Sequence, residues 1–195
     1  MISIIMSTYR EKLEYVERAI QSVLNQSYQD FELIIVPDDP KNDDMKELLK
    51  DYAVRDCRIK VIDNHKNLGL PGAMNKALSF AKGEYIARMD ADDICYPERL
   101  EIQLEYMRNY GYDLIAARGQ CIDFQGNIIN GMESDYYESQ AIIKRLRFAN
   151  CLIHSTWLVK KDVYEQLNGY RDIPRCEDYD FLLRALKLEK RFGMC

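Results

Sequence analysis

The 195-residue sequence is poor in the residues that build zinc sites, disulfide frames and membrane spans. It has two histidines and six cysteines, at Cys57, Cys95, Cys121, Cys151, Cys176 and Cys195, with no Cys-x-x-Cys pair among them. That spacing fits reduced thiols better than a metal or disulfide framework. No apolar run approaches the roughly 20 residues that cross a bilayer. A strand-like Ile2-Ser3-Ile4-Ile5-Met6 at the initiator leaves no room for a signal peptide, so a cytoplasmic location is expected. Basic residues form no stripe and the net charge is −5, which argues against nucleic acid as a partner. No repeat, low-complexity stretch or linker divides the chain, so residues 1–195 read as one domain.

What is present is an ordinary globular composition, 47% apolar and 30% charged. Over residues 1–110 strand and helix patterns alternate, which predicts an α/β fold with a mostly parallel sheet. Ile2–Ser7 reads as a first strand, and Leu13, Val16, Ile20, Val23 and Leu24 mark a helix from Glu11 to Asn25. Phe31–Val36 is continuously apolar, as in a strand covered on both faces. A helix over Asp43–Tyr52, a strand over Ile59–Ile62 and a helix ending near Ala81 follow. Tyr85–Asp90 is the fourth strand, and a helix runs from Pro97 to Asn109. Residues 111–195 change character. Strands are expected at Leu114–Ala117, Gln120–Phe124, Ile128-Ile129 and Thr156–Lys160, with a hairpin turn at Gln125-Gly126-Asn127. Helices are expected over Glu138–Phe148, over Asp162–Leu167 and after Glu177-Asp178.

Four polar segments follow strands: Ser7-Thr8-Tyr9-Arg10, Pro37-Asp38-Asp39, Asn67–Gly72 and Asp90-Ala91-Asp92-Asp93. In a parallel sheet such loops share one edge and can converge on a ligand. Three carboxylates within four residues at a strand end are costly unless a cation joins them, and oxygen ligands suit Mg²⁺ or Mn²⁺. Taken singly, each segment also has a plain structural reading. Thr8 and Asp92 or Asp93 can cap helices, Asp38 and Asp39 can form turns, and the glycines can serve turns.

In order along the chain, these residues resemble a known family. Ser3–Arg10 resembles the opening strand and Pro-Thr-Tyr-Asn turn of family 2 glycosyltransferases, which have a GT-A fold. Ser22–Tyr28 followed by Phe31–Val36 is similar to the family's next segment, as are Asn67-Leu68-Gly69 and Asn75–Leu78. Gly83–Asp93 resembles the strand ending in the D-x-D motif, and Pro97-Glu98-Arg99-Leu100 the helix after it. His154-Ser155-Thr156 resembles an H-P-S segment, and Glu177-Asp178-Tyr179-Asp180 the E-D-x-D motif.

The resemblance implies a nucleotide-binding half over 1–110 and an acceptor-binding half over 111–195. It implies a non-processive, inverting hexosyl- or N-acetylhexosaminyltransferase that moves sugar from a UDP-sugar to a glycan or lipid-linked acceptor. A role in surface polysaccharide biosynthesis, at the inner face of the membrane, belongs to the same expectation. Thr8, Tyr9, Asp38, Asn67, Gly69, Asp90 and Ala91 would bind the nucleotide-sugar. Asp92, with Asp90 and Asp93, would hold Mn²⁺ or Mg²⁺, and Asp178 would be the general base. Without the resemblance, Glu177-Asp178 reads as the acidic first turn of a helix. His154 reads equally as a strand-end residue, and Trp157 as core.

The chain departs from the family at Ser7, Pro37, Asp39 and Met74, where Pro, Asp, Gly and Arg are usual. It also stops soon after its last helix, which implies a C-terminally truncated member. Two alternatives stay open. One is a catalytically weak nucleotide-sugar-binding relative; the other is a sugar nucleotidyltransferase, although Ser7–Arg10 carries no glycine. Sugar selection is expected to depend on the loops around Gly119–Tyr137.

Overall fold

The computed structural model describes residues 1–132 and 139–195. Strands β1 (Ile2–Thr8), β2 (Phe31–Pro37), β3 (Ile59–Val61) and β4 (Tyr85–Arg88) alternate with helices α1 (Leu13–Leu24), α2 (Asp43–Arg55) and α3 (Gly69–Phe80). After α4 (Arg99–Tyr110) come β5 (Leu114–Ala116) and an antiparallel hairpin, β6 (Gly119–Ile122) and β7 (Ile128–Met132). Helix α5 (Ser139–Leu146), a 3-10 turn (His154–Thr156), β8 (Leu158–Lys160), α6 (Lys161–Leu167), α7 (Glu177–Lys187) and β9 (Phe192–Met194) complete the chain.

Seven strands form one sheet in the order β3-β2-β1-β4-β8-β5-β9. Strand β8 pairs antiparallel with both β4 and β5, and the other pairings are parallel. This is the α/β architecture with a mostly parallel sheet that the alternating pattern predicts. The period of two along each strand decides which core a side chain enters. Ile2, Ile4 and Met6 of β1 join Leu33 and Ile35 of β2 under α1, α2 and α4. Ile5, Ile34 and Val36 point to the opposite face, against Ala73, Met74 and Ala77 of α3. Both faces of β2 are therefore covered, which is why Phe31–Val36 needs no polar alternation.

Local chemistry sets the element ends. Asn42 caps α2 by accepting the Met45 N–H at 3.0 Å. Gly111 ends α4 in the left-handed region at φ 66°, which glycine enters without steric cost. Gly83 lies so close to β1 that a Cβ would meet Ser3 N at 2.6 Å.

Several boundaries differ from expectation. Strand β4 stops at Arg88, so Met89 and Asp90 already belong to the following turn. Pro97 precedes α4 instead of opening it, and the turn before Arg99 is closed by Arg99 N–H to Tyr96 O at 3.1 Å. The segment expected as a strand from Thr156 begins with the 3-10 turn, and Trp157 caps that turn. Strand β9 was not anticipated; its three residues carry no alternation long enough to read. The expected helix start at Glu138, and residues 133–137 of the sugar-selecting region, lie outside the described residues. Among the described residues no helix is long and apolar enough to cross a membrane.

Candidate active site

The carboxyl ends of β1, β2 and β4 lie side by side, because β1 pairs with β2 on one flank and β4 on the other. Thr8 lies opposite Pro37, and the Asp38 N–H donates to Thr8 O at 2.6 Å. Asp38 is buried, and its Oδ1 accepts from Asn64 Nδ2 at 2.7 Å and from the Leu68 N–H at 2.9 Å. Asn67 Nδ2 donates to Asp38 O at 3.0 Å, and its own Oδ1 receives the Gly69 N–H at 3.1 Å. Gly69 opens α3 with φ 68°, a conformation that L side chains adopt only with strain. Asp38 is thus the knot between the first, second and third polar loops. The Thr8 hydroxyl, nearly inaccessible, has no partner among the described residues. Tyr9 is exposed at this edge, with the Arg10 guanidinium 4.8 Å from its ring centroid.

The acidic turn follows directly from β4. Met89 N–H still donates to Ile5 O at 3.1 Å, and Asp93 N–H returns to Asp90 O at 3.4 Å. Arg99 of α4 closes the base by donating to Arg88 O at 2.8 Å. Ala91 is buried, so Asp90 and Asp92 flank a side chain turned into the core. The Asp90 carboxylate is paired with the Arg88 guanidinium. Burial, and then the charge of Asp90, push the Asp92 carboxyl above its usual range. Burial raises Asp93 as well, opposed by a hydrogen bond from Ser155 and supported by the charges of Asp90 and Asp92. Among the described residues no three His, Cys, Asp or Glu side chains gather as a ready-made metal cluster. The donor set nonetheless fits a hard divalent ion: its atoms are carboxylate oxygens, and their mutual repulsion is what a cation would relieve. A cleft of about 210 Å³ opens beside Asp92, between Tyr15 and Arg18 of α1 and Phe124 of the β6–β7 hairpin.

Asp178 sits in the first turn of α7. Its Oδ2 accepts from Asn150 Nδ2 at 2.7 Å, and Oδ1 accepts the Tyr179 N–H at 2.7 Å. Asp180, the last residue of the E-D-x-D segment, serves the fold: it pairs with Arg184 at 2.7 Å, and Arg184 binds the Leu167 and Gly169 carbonyls. His154 bonds through Nε2 to the Tyr170 hydroxyl at 2.8 Å and stacks edge-on against the buried Trp157. Burial, with the positive charge of Arg88, holds His154 well below its ordinary pKa, so it is a neutral member of an aromatic wall. Tyr170, which also bonds the Tyr164 hydroxyl at 3.0 Å, is buried in the same wall, and burial raises its hydroxyl well above the usual value. Sequence reasoning missed Arg88, Asn64, Asn150 and Tyr170. Only Arg88 left a signal, as a lone charge inside the apolar run Tyr85–Met89.

This sheet order, with polar loops at one edge and an added antiparallel strand, is that of the GT-A fold. Residues 3–168 match the family model for Glycosyl transferase family 2, and the chain belongs to that family. It is 38% identical over 187 residues to the O-antigen biosynthesis glycosyltransferase WbnJ of Escherichia coli, covering 95% of this chain and 72% of that one. It superposes on S. aureus TarS 1-349 in complex with UDP-GlcNAc with a TM-score of 0.78 at 19% identity, covering 100% of this chain and 55% of that one. The mannosyltransferase PcManGT of Pyrobaculum calidifontis, in complex with GDP-Man and Mn²⁺, gives a TM-score of 0.77 at 15% identity, over 100% and 54% of the two chains. The chain therefore spans little more than half the length of these solved relatives.

Proposed function

We propose that this chain carries the donor site and general base of a metal-dependent, inverting glycosyltransferase. It moves a sugar from a UDP-sugar to a glycan or lipid-linked acceptor in surface polysaccharide biosynthesis. The observation that carries this reading is the convergence of Thr8, Asp38, Asn67 and the Asp90–Asp93 turn on one sheet edge. Family membership and the O-antigen relative support the reaction and the pathway class.

In this reading the Thr8, Tyr9 and Asp38 edge receives the nucleoside, Tyr9 offering a ring face and Thr8 an unengaged hydroxyl. Asn67, Gly69, Asp90 and Ala91 line the ribose and diphosphate. Asp92 would hold the cation, with Asp93 beside it and Asp90 committed to Arg88. A bound Mn²⁺ or Mg²⁺ would offset the charge that builds on the departing diphosphate. Asp178 accepts the proton of an acceptor hydroxyl as its oxygen bonds to the anomeric carbon, while the bond from that carbon to the diphosphate breaks. Attack opposite the leaving group inverts the anomeric configuration.

Calorimetric titration with UDP, with and without Mn²⁺, tests the donor half, and sugar release in an acceptor screen tests transfer. Mn²⁺-dependent UDP binding with transfer is expected. Binding without any sugar release would instead support a nucleotide-sugar-binding relative that does not turn over.

A further inference from the structure

We propose that Arg88 is a positioning residue of the donor site: its buried guanidinium fixes the Asp90 carboxylate at the start of the acidic turn. This inference rests on the donor-site reading above. Arg88 ends β4, and its N–H donates to Trp157 O at 2.8 Å. Its side chain is 1% exposed, whereas that of its partner Asp90 is 44% exposed. The two Nη atoms bond the Met89 carbonyl and Asp90 Oδ1, and Nε has no partner among the described residues.

The asymmetry of exposure is what points to function. A half-exposed carboxylate is solvated and needs no ion pair to be tolerated. A buried guanidinium is costly to desolvate, and an apolar residue of similar volume in its place is commonly neutral or stabilising. The fold alone therefore favours a methionine at position 88, beside Trp157 and Ile86. What an arginine adds is direction, since its rigid planar head, anchored through one Nη on the Met89 carbonyl, aims the other Nη at Asp90 Oδ1. The carboxylate so held is the first of the acidic turn, one residue before the buried Ala91 and two before Asp92.

The test compares the unsubstituted chain with Arg88→Met and Arg88→Lys by UDP titration in saturating Mn²⁺ and by thermal melting. Arg88→Met is expected to melt at or above the parent temperature while binding UDP about tenfold more weakly, which is about 1.4 kcal/mol of binding free energy. Arg88→Lys keeps the charge without the planar head and is expected to recover part of that loss. Parent-like UDP affinity in Arg88→Met overturns the proposal. Failure of both variants to fold also overturns it, because it assigns Arg88 to the architecture alone. If the unsubstituted chain shows no Mn²⁺-dependent UDP binding, the donor reading itself falls and the positioning role falls with it.

Discussion

Asn150 holds Asp178: its side-chain amide donates to Oδ2 at 2.7 Å, and the Tyr179 N–H occupies Oδ1 at the same distance. Both donors are neutral, so these two bonds orient the carboxylate without bringing a cation to it. That is the arrangement a proton acceptor requires. Asp178→Asn is expected to leave UDP affinity within a factor of about two while lowering transfer by about a thousandfold or more, the range of general-base loss. Calorimetry and a coupled UDP-release assay read the two quantities separately. Equal loss of both would make Asp178 a support for α7 instead.

Asp38 ties together three loops, and its removal carries two costs. Asp38→Ala leaves the buried Asn64 amide and the Leu68 N–H without their acceptor. Loss of such bonds at a buried position costs about 1–3 kcal/mol. The melting temperature should fall accordingly, and UDP binding should weaken because the Asn67–Gly69 backbone is no longer pinned. Asn64→Ala leaves the carboxylate in place and should cost stability with a smaller loss of affinity. Identical binding losses in the two variants would show that Asp38 acts only through the loop.

The parallel half of the fold was legible because its signals are local: an unbroken apolar run at Phe31–Val36, helical spacing from Leu13 to Leu24, and prolines at the end of β2 and just beyond it. The C-terminal half was less so. Strand β9 is three residues long and is defined by its partner β5, which no local pattern encodes. Pro97 misled because a helix-favouring first-turn residue also suits the tight turn that precedes α4. At the site, sequence order identified the loops but not the ties between them. Asn64 and Asn150 are ordinary polar residues until folding sets them against Asp38 and Asp178. Arg88 was visible as a charge in an apolar strand, yet its partner two residues away could be named only once β4 was seen to end.

Among the described residues Asp92 has no ion pair of the kind that holds Asp90, and it borders the cleft beneath the hairpin. Asp92→Asn is expected to erase the Mn²⁺-dependent increment in UDP affinity while leaving metal-free UDP binding unchanged. The parallel substitution Asp93→Asn, whose carboxyl engages Ser155, should reduce that increment only in part. Titrating Mn²⁺ at fixed UDP checks both. The reverse ranking would transfer the principal ligand to Asp93.

Glu32 shows how the opposite end of the sheet is secured, away from the Asp90–Asp93 turn. It is 5% exposed, and Oε1 accepts from Ser3 Oγ at 2.6 Å and the Lys82 N–H at 2.7 Å, while Oε2 pairs with Lys60. Ser3 Oγ in turn receives the Gly83 N–H at 2.8 Å, so the carboxylate organises the β1–β4 entrance. Burial works to raise its pKa, but the Lys60 and Ser3 bonds and the Lys82 N–H outweigh it and hold the carboxyl below its usual value. The unfolded chain therefore takes up the proton at higher pH than the folded one. The stabilisation is complete above the unfolded-state pKa and is lost as pH falls through the lower, folded-state value. Glu32→Gln should cost about 1–3 kcal/mol at neutral pH, with the partly exposed Lys60 tempering the loss. The deficit should shrink in acid, where the parent residue is itself protonated, and UDP affinity should not change. Melting curves at neutral and acidic pH decide the matter, since a deficit constant across pH would mean that shape rather than charge at position 32 holds the strands together.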